Sequence, residues 1–248
     1  MQMGQILKSI GEVSIQGVSL AKYGRDILDR ISFIATHGRV GLIGRNGSGK
    51  STLARVVCGL IKPDQGCVLI DDIDVFKDRH QALGKVGILF QNPDHQIIFP
   101  TVIEEICFGL TQQGQNKDIA RHMAQAALEK FGQGGWAERS ISTLSQGQRH
   151  LVCLISVLAM QPAVIVMDEP FTGLDRPTTG KLTQMLREMQ QTVLHISHDL
   201  EALQDADRVI WIEQGRLQMD GAPNVVLPAY MAAMDVVGVQ DAFADITD

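Results

Sequence analysis

Residues 12–36 alternate between apolar and polar positions. Val13, Ile15 and Val18, then Ile27, Leu28, Ile31 and Phe33, carry the apolar side, and Tyr23-Gly24 divides the run. A period of two broken by such a pair predicts short strands joined by a turn. The compact run 40–43 reads as a buried strand entering a glycine-rich stretch, and 51–60 reads as a helix. Further strands are predicted at 68–71 and 86–90. Helical spacing with good helix formers marks 117–131 and 146–160. A buried strand at 163–167, a helix at 181–190 and strands at 192–196 and 209–212 complete the pattern. Apolar strands alternating with helices predict an α/β layered fold. The two successive helices around 117–160 interrupt that alternation and predict a helical insertion of about 65 residues, the size of a subdomain.

Composition changes this picture little. The 248 residues suit one domain with a modest insertion, long enough to bury a real core. With 22 Lys and Arg against 28 Asp and Glu, the net charge of −6 argues against nucleic acid as partner. Cys58, Cys67, Cys107 and Cys153 form no CxxC pair, so buried thiols in a reducing compartment are expected rather than a zinc site or disulfides. The longest apolar stretch, 151–160, is interrupted by Ser156 and stopped by Gln161-Pro162, well short of the roughly 18 residues of a transmembrane helix. The first 17 residues carry no basic flank leading into an apolar core, so no secretory signal is expected there.

Chemistry enters at Gly44-Arg45-Asn46-Gly47-Ser48-Gly49-Lys50-Ser51, which fits G-x-x-x-x-G-K-[ST]. Glycines let backbone N–H groups turn inward around phosphates, and Lys50 supplies charge to the β- and γ-phosphates. The Ser51 hydroxyl suits Mg²⁺, and the following helix adds its N-terminal dipole. The motif follows a predicted strand and opens a predicted helix, as that mechanism requires. A second cluster, Val164-Ile165-Val166-Met167-Asp168-Glu169, ends a buried strand in two acids 118 residues after Lys50. Asp168 is expected in the magnesium shell, and Glu169 is placed to polarise an attacking water.

Leu144-Ser145-Gln146-Gly147-Gln148 begins the helix 146–160, Thr172-Gly173-Leu174-Asp175 follows the acid pair, and Ile196-Ser197-His198-Asp199 follows the next strand. With these in order, residues 12–222 resemble the nucleotide-binding subunit of ATP-binding-cassette (ABC) proteins, whose usual signature is LSGGQ. The resemblance implies a P-loop NTPase of the ABC ATPase fold: a RecA-like core, an antiparallel β subdomain and an α-helical subdomain inserted at about 93–158, with a short tail at 223–248. It implies ATP and Mg²⁺ as ligands. Asn46, Gly47, Ser48, Gly49, Lys50, Ser51 and Thr52 would hold the phosphates, and Tyr23 would stack on adenine. Ser51, Gln91 and Asp168 would hold the metal. Glu169, His198, Gln91 and Lys50 would carry catalysis. Ser145, Gly147, Gln148 and Asp175 would reach the γ-phosphate held by a second subunit, so the active species would be a head-to-tail dimer, a homodimer first. Gln146 in place of the first signature glycine, His150, and Leu151 where a basic residue is common depart from the family pattern; they bear on interface contacts, while Gly147 is kept.

The stretch Gln91-Asn92-Pro93-Asp94-His95-Gln96, followed by Pro100-Thr101-Val102 and Phe108-Gly109, is similar to the energy-coupling-factor (ECF) group of vitamin and transition-metal importers. There this segment meets the coupling helices of a transmembrane subunit, which works with a membrane-embedded substrate-capture subunit. The implied location is the cytoplasmic face of the cell membrane. After Gly221 only 27 residues remain, with a short helix expected near 228–237 and an acidic end at Asp241, Asp245 and Asp248. That compactness and the residues 208–213 most resemble the biotin-importer branch, with cobalt or nickel importers next. A soluble ABC ATPase outside transport, such as the iron–sulfur assembly type, is the competing reading; the 91–102 stretch favours the importer. A nucleotide-binding scaffold without catalysis is disfavoured by the presence of Glu169 and His198.

Overall fold

The computed structural model describes residues 11–36, 38–171 and 174–244. The expectations for the first ten residues, for Thr172-Gly173 and for Asp245 and Asp248 lie outside them. Strands β1 (Glu12–Lys22) and β2 (Arg25–Thr36) form a hairpin. Its turn is Tyr23-Gly24, both at positive φ (52° and 73°), the geometry that matches the right-handed twist of the paired strands. β3 (Arg39–Ile43) is buried at all five positions and leads to α1 (Lys50–Val57). β4 (Gln65–Ile70) and β5 (Ile73–Asp74) join the hairpin in a four-stranded antiparallel sheet of order β2-β1-β4-β5. α2 (Arg79–Leu83) precedes β6 (Val86–Leu89).

Three helices come next: α3 (Val102–Gln112), α4 (Lys117–Lys130) and α5 (Gln146–Ala159). They build their own core from Val102, Ile103, Ile106, Leu110, Ala120, Ala124 and Leu128 against Val152 and Ile155. The sequence pattern predicted only the second and third of these helices, and α3 is the correction. Its apolar positions 102, 103, 106 and 110 have helical spacing, obscured by Gly109 and by β-branched residues of low helix propensity.

The chain then returns through β7 (Val164–Asp168), α6 (Arg176–Arg187), β8 (Thr192–Ile196), β9 (Arg208–Glu213) and β10 (Arg216–Gly221). The second sheet runs β10-β9-β3-β8-β7-β6, parallel except for its β10 edge. Its nearly continuous apolar strands suit a sheet covered on both faces. One core lies between α1, the antiparallel sheet and the parallel strands; a second packs α5 and α6 on β7 and β8.

The tail differs from expectation. In place of a short helix near 228–237, α7 spans Pro223–Ala244. It starts on a proline, which suits a first helical turn, and buries Val226 and Leu227 against β9. Trp211 of β9 meets the Tyr230 ring edge-on at 5.4 Å. All four cysteines are free; Cys58 and Cys153 are buried, and their burial pushes both thiols well above the usual range. Cys67 and Cys107 are only half-buried, so the expectation of uniformly buried thiols is corrected at those two positions. Among the described residues no helix is long and apolar enough to cross a membrane.

Candidate nucleotide site

The site forms where β3, β7 and β8 end at one edge of the parallel sheet, the place where such sheets bind ligands. After β3 the chain turns through glycines into α1. Gly49 caps that helix in the left-handed region at φ 104°, and a Cβ there would stand 2.7 Å from the Ile27 carbonyl oxygen. Only glycine combines that dihedral with that approach. The loop is braced from β9–β10: Gly215 N–H donates to the Ser48 carbonyl (3.0 Å), and Arg45 N–H points at the Glu213 carboxylate (3.4 Å).

Lys50 is buried and folds back on its own loop, donating to the carbonyls of Gly44 (2.7 Å) and Arg45 (2.9 Å). Burial lowers its pKa, against the opposing charges of Glu169, Asp168 and Glu213. The Ser51 hydroxyl donates to Asp168 (3.1 Å) at the end of β7. Burial raises the Asp168 pKa, opposed by that hydroxyl and by Arg55 and Lys50.

Glu169, the next residue, holds a left-handed backbone at φ 52°. That conformation costs a non-glycine residue about 1 kcal/mol or more. Its N–H donates to the Ile196 carbonyl (3.0 Å), and its carboxylate stands 2.7 Å from His198 Nδ1. The strained turn therefore points Glu169 at His198, two residues past the end of β8.

Asn46, Gly47, Gly49, Lys50, Ser51, Thr52, Gln91, Asp168, Glu169 and His198 line a single cavity of about 490 Å³. Ser48, expected with them, is absent from that lining: its hydroxyl is buried and has no partner among the described residues. The lysine ammonium, satisfied only by carbonyls of the loop itself, fits a phosphate chain there. A hydroxyl beside a carboxylate, Ser51 and Asp168, is a hard-oxygen set suited to Mg²⁺.

Ser145, Gly147, Gln148 and Asp175 do not join this cavity. They line another, of about 590 Å³, together with Gln146, Phe131, Trp136 and Met185. Ser145 begins α5 with a capping box: its hydroxyl accepts from Gln148 N–H (3.3 Å), and the Gln148 side chain accepts from Ser145 N–H (2.9 Å). Reading 145–148 for a phosphate partner passed over this local role, although S-x-x-Q before an apolar run is its sequence sign. Tyr23 stands apart on the hairpin turn, with its ring wholly exposed.

Residues 28–172 match the ABC transporter family, more than half of the chain, and the chain belongs to that family. It is an ATP-binding ATPase with the α/β ABC fold that the motifs implied. Among relatives, it is 45% identical over 225 residues to the biotin transport ATP-binding protein BioM of Rhodobacter capsulatus, spanning 91% of this chain and 96% of that one. It is 41% identical over 192 residues to the energy-coupling factor transporter ATP-binding protein EcfA of Methanothermobacter thermautotrophicus, covering 75% of this chain and 62% of that one. Among solved structures, cbiO1 of Clostridium perfringens, part of the ABC transporter complex cbiONQ, superposes with a TM-score of 0.77 at 26% identity, over 90% of this chain and 93% of that one.

Proposed function

We propose that this chain is the ATP-hydrolysing subunit of an ECF-type importer of a vitamin or transition metal, biotin before cobalt or nickel. It works as a head-to-tail dimer, a homodimer first, on the cytoplasmic face of the membrane. It serves a transmembrane coupling subunit and a substrate-capture subunit, and no nucleic acid is involved. The cassette is residues 12–222 with its helical insertion at about 93–158, and 223–248 form the tail.

The observation that carries the dimer is the separation of two cavities. The P-loop, Gln91, both acids and His198 line one, while Ser145, Gly147, Gln148 and Asp175 line the other. A second copy, turned head to tail, brings the second set over the phosphates held by the first. Residues 46–52 cradle the phosphates, with Lys50 neutralising the β- and γ-groups, and Tyr23 stacks on adenine from its exposed turn. Ser51, Gln91 and Asp168 hold Mg²⁺, which supplies charge compensation on the phosphates. Glu169 orients the attacking water and draws on its proton, and His198 holds that carboxylate in place.

The membrane-facing surface is the loop after Gln91. There Ile98 is 69% exposed, and Phe99 and Phe108 pair at 5.2 Å. The ECF and biotin assignments draw on the named relatives and on the 91–102 stretch.

A Glu169→Gln variant tests the reading. It keeps every phosphate contact and loses water activation, so with ATP it is expected to accumulate as a dimer in light scattering while turnover collapses. A variant that hydrolyses ATP at the normal rate, or stays monomeric at saturating ATP, overturns it. Co-purification in detergent with membrane subunits checks the importer; recovery with soluble assembly proteins alone overturns that part.

A further inference from the structure

Glu105 is a buried carboxylate, 5% exposed, on the first turns of α3, and no cation pairs with it among the described residues. Burying a carboxylate without a counter-charge is costly unless hydrogen bonds replace its water. Here one oxygen, Oε2, accepts both the Ile98 and the Phe99 backbone N–H groups, each at 2.9 Å. Charge-assisted bonds of this kind are among the stronger ones a loop can make. They bind the backbone beneath the most exposed apolar side chain of the 91–101 loop, so the shape of that surface is set from inside.

The same residue is tied to the signature helix. Its carbonyl oxygen accepts from the buried Ser156 hydroxyl of α5 (3.4 Å). At the other end of the loop, Asp94 pairs with Arg149 of α5 at 3.1 Å. The loop between β6 and α3 is therefore held to α5 directly at Asp94 and, by way of Glu105 on α3, at Ser156, and α5 is capped by Ser145, beside the second cavity.

We propose that Glu105 is a positioning residue that makes the Ile98–Phe99 turn part of the α5 rigid body, so that a displacement of the α5 N-terminus is delivered to the apolar loop. The link to transport rests on the reading of that loop as the membrane-facing surface. The structural claim does not.

Amide hydrogen exchange on the full-length chain tests it. In the unsubstituted protein the Ile98 and Phe99 amides should be protected, although the Ile98 side chain is in water. Because both amides use one oxygen, the carbonyl of a Glu105→Gln side chain can accept both, and protection should hold. Glu105→Ala should speed exchange at these two amides by about tenfold or more, confined to residues 96–101, while β7 and β8 exchange as before. Fast exchange at both amides in the unsubstituted protein overturns the proposal without any variant. So does Glu105→Gln behaving like Glu105→Ala, or acceleration spread evenly over β7 and β8, which would mark a role in folding alone. Ile98→Glu separates the two readings. It should keep the exchange pattern and lose the membrane subunits that the unsubstituted chain recovers in detergent. If it retains them while the exchange results hold, the docking reading falls and the role of Glu105 in shaping the loop stands.

Discussion

Lys50 lies along its own loop with its ammonium on two carbonyls. In the proposed role, phosphates would exchange those neutral acceptors for charged ones. Lys50→Ala should lower ATP turnover by about a hundredfold, the usual scale for one lost electrostatic contact to a reacting phosphoryl group. Steady-state hydrolysis checks this, and unchanged affinity together with unchanged turnover would falsify the P-loop assignment. His195 follows a different logic. It is fully buried in β8, edge-on to Phe171 at 5.4 Å, and burial with Arg39 nearby lowers its pKa from 6.5 to about 4. Between those values the unfolded chain binds a proton that the folded chain refuses, so stability is full above pH 6.5 and falls as the pH drops toward 4. The loss from this residue is roughly 3 kcal/mol, and burial of His150 lowers its pKa and adds in the same direction. Denaturant titrations at stepped pH check it; His195→Phe should flatten the acid limb.

At the scale of elements, α5 serves two ends with one short sequence. Its Ser145–Gln148 capping box satisfies N–H groups that a helix start leaves unpaired, and the same residues face the second cavity. The two roles can be separated. Ser145→Ala should cost about 1 kcal/mol of stability and also impair turnover, whereas Ser145→Asp keeps a capping oxygen, hence stability within a few tenths of a kcal/mol, yet sets a negative charge against phosphate. Thermal melts beside ATPase rates check this; recovery of turnover in Ser145→Asp would remove Ser145 from the nucleotide contact. The P-loop, the acid pair and the parallel strands themselves were legible in the sequence because each is local: a motif, a run, an apolar period; the order of those strands in the sheet comes from the structure alone. Helix α3 was not, since Gly109 and its β-branched residues blur a spacing that tertiary packing rescues. The reach of α7 was not, because what holds its start is contact with β9 rather than a pattern of its own. Glu105 was invisible for the same reason. As the second acid of Glu104-Glu105 it looks like ordinary first-turn charge, and only the amides of residues 98 and 99 show otherwise.

For the whole molecule, the three-helix core is distinct from the three that pack on the sheets, with Ile97 and Leu151 bordering both the helical core and the α5–α6 core. Helical unit and sheet core thus have separate interiors and a shared seam, an arrangement able to shift as two bodies. Leu151, where the family often carries a basic residue, supplies apolar contact to that seam and also lines the second cavity. The division of residues between two cavities has a consequence for inheritance. In a head-to-tail pair every working site draws its P-loop from one copy and its signature from the other. A Lys50→Ala copy paired with a Ser145→Asp copy concentrates both lesions in one site and leaves its twin wholly intact. Mixing two individually dead preparations should therefore restore hydrolysis, and a mixture that stays dead would refute the shared site. Placing both lesions in one copy and pairing it with an unaltered one does the reverse, breaking each site once. The same two mutations thus complement when carried apart and act dominantly when carried together.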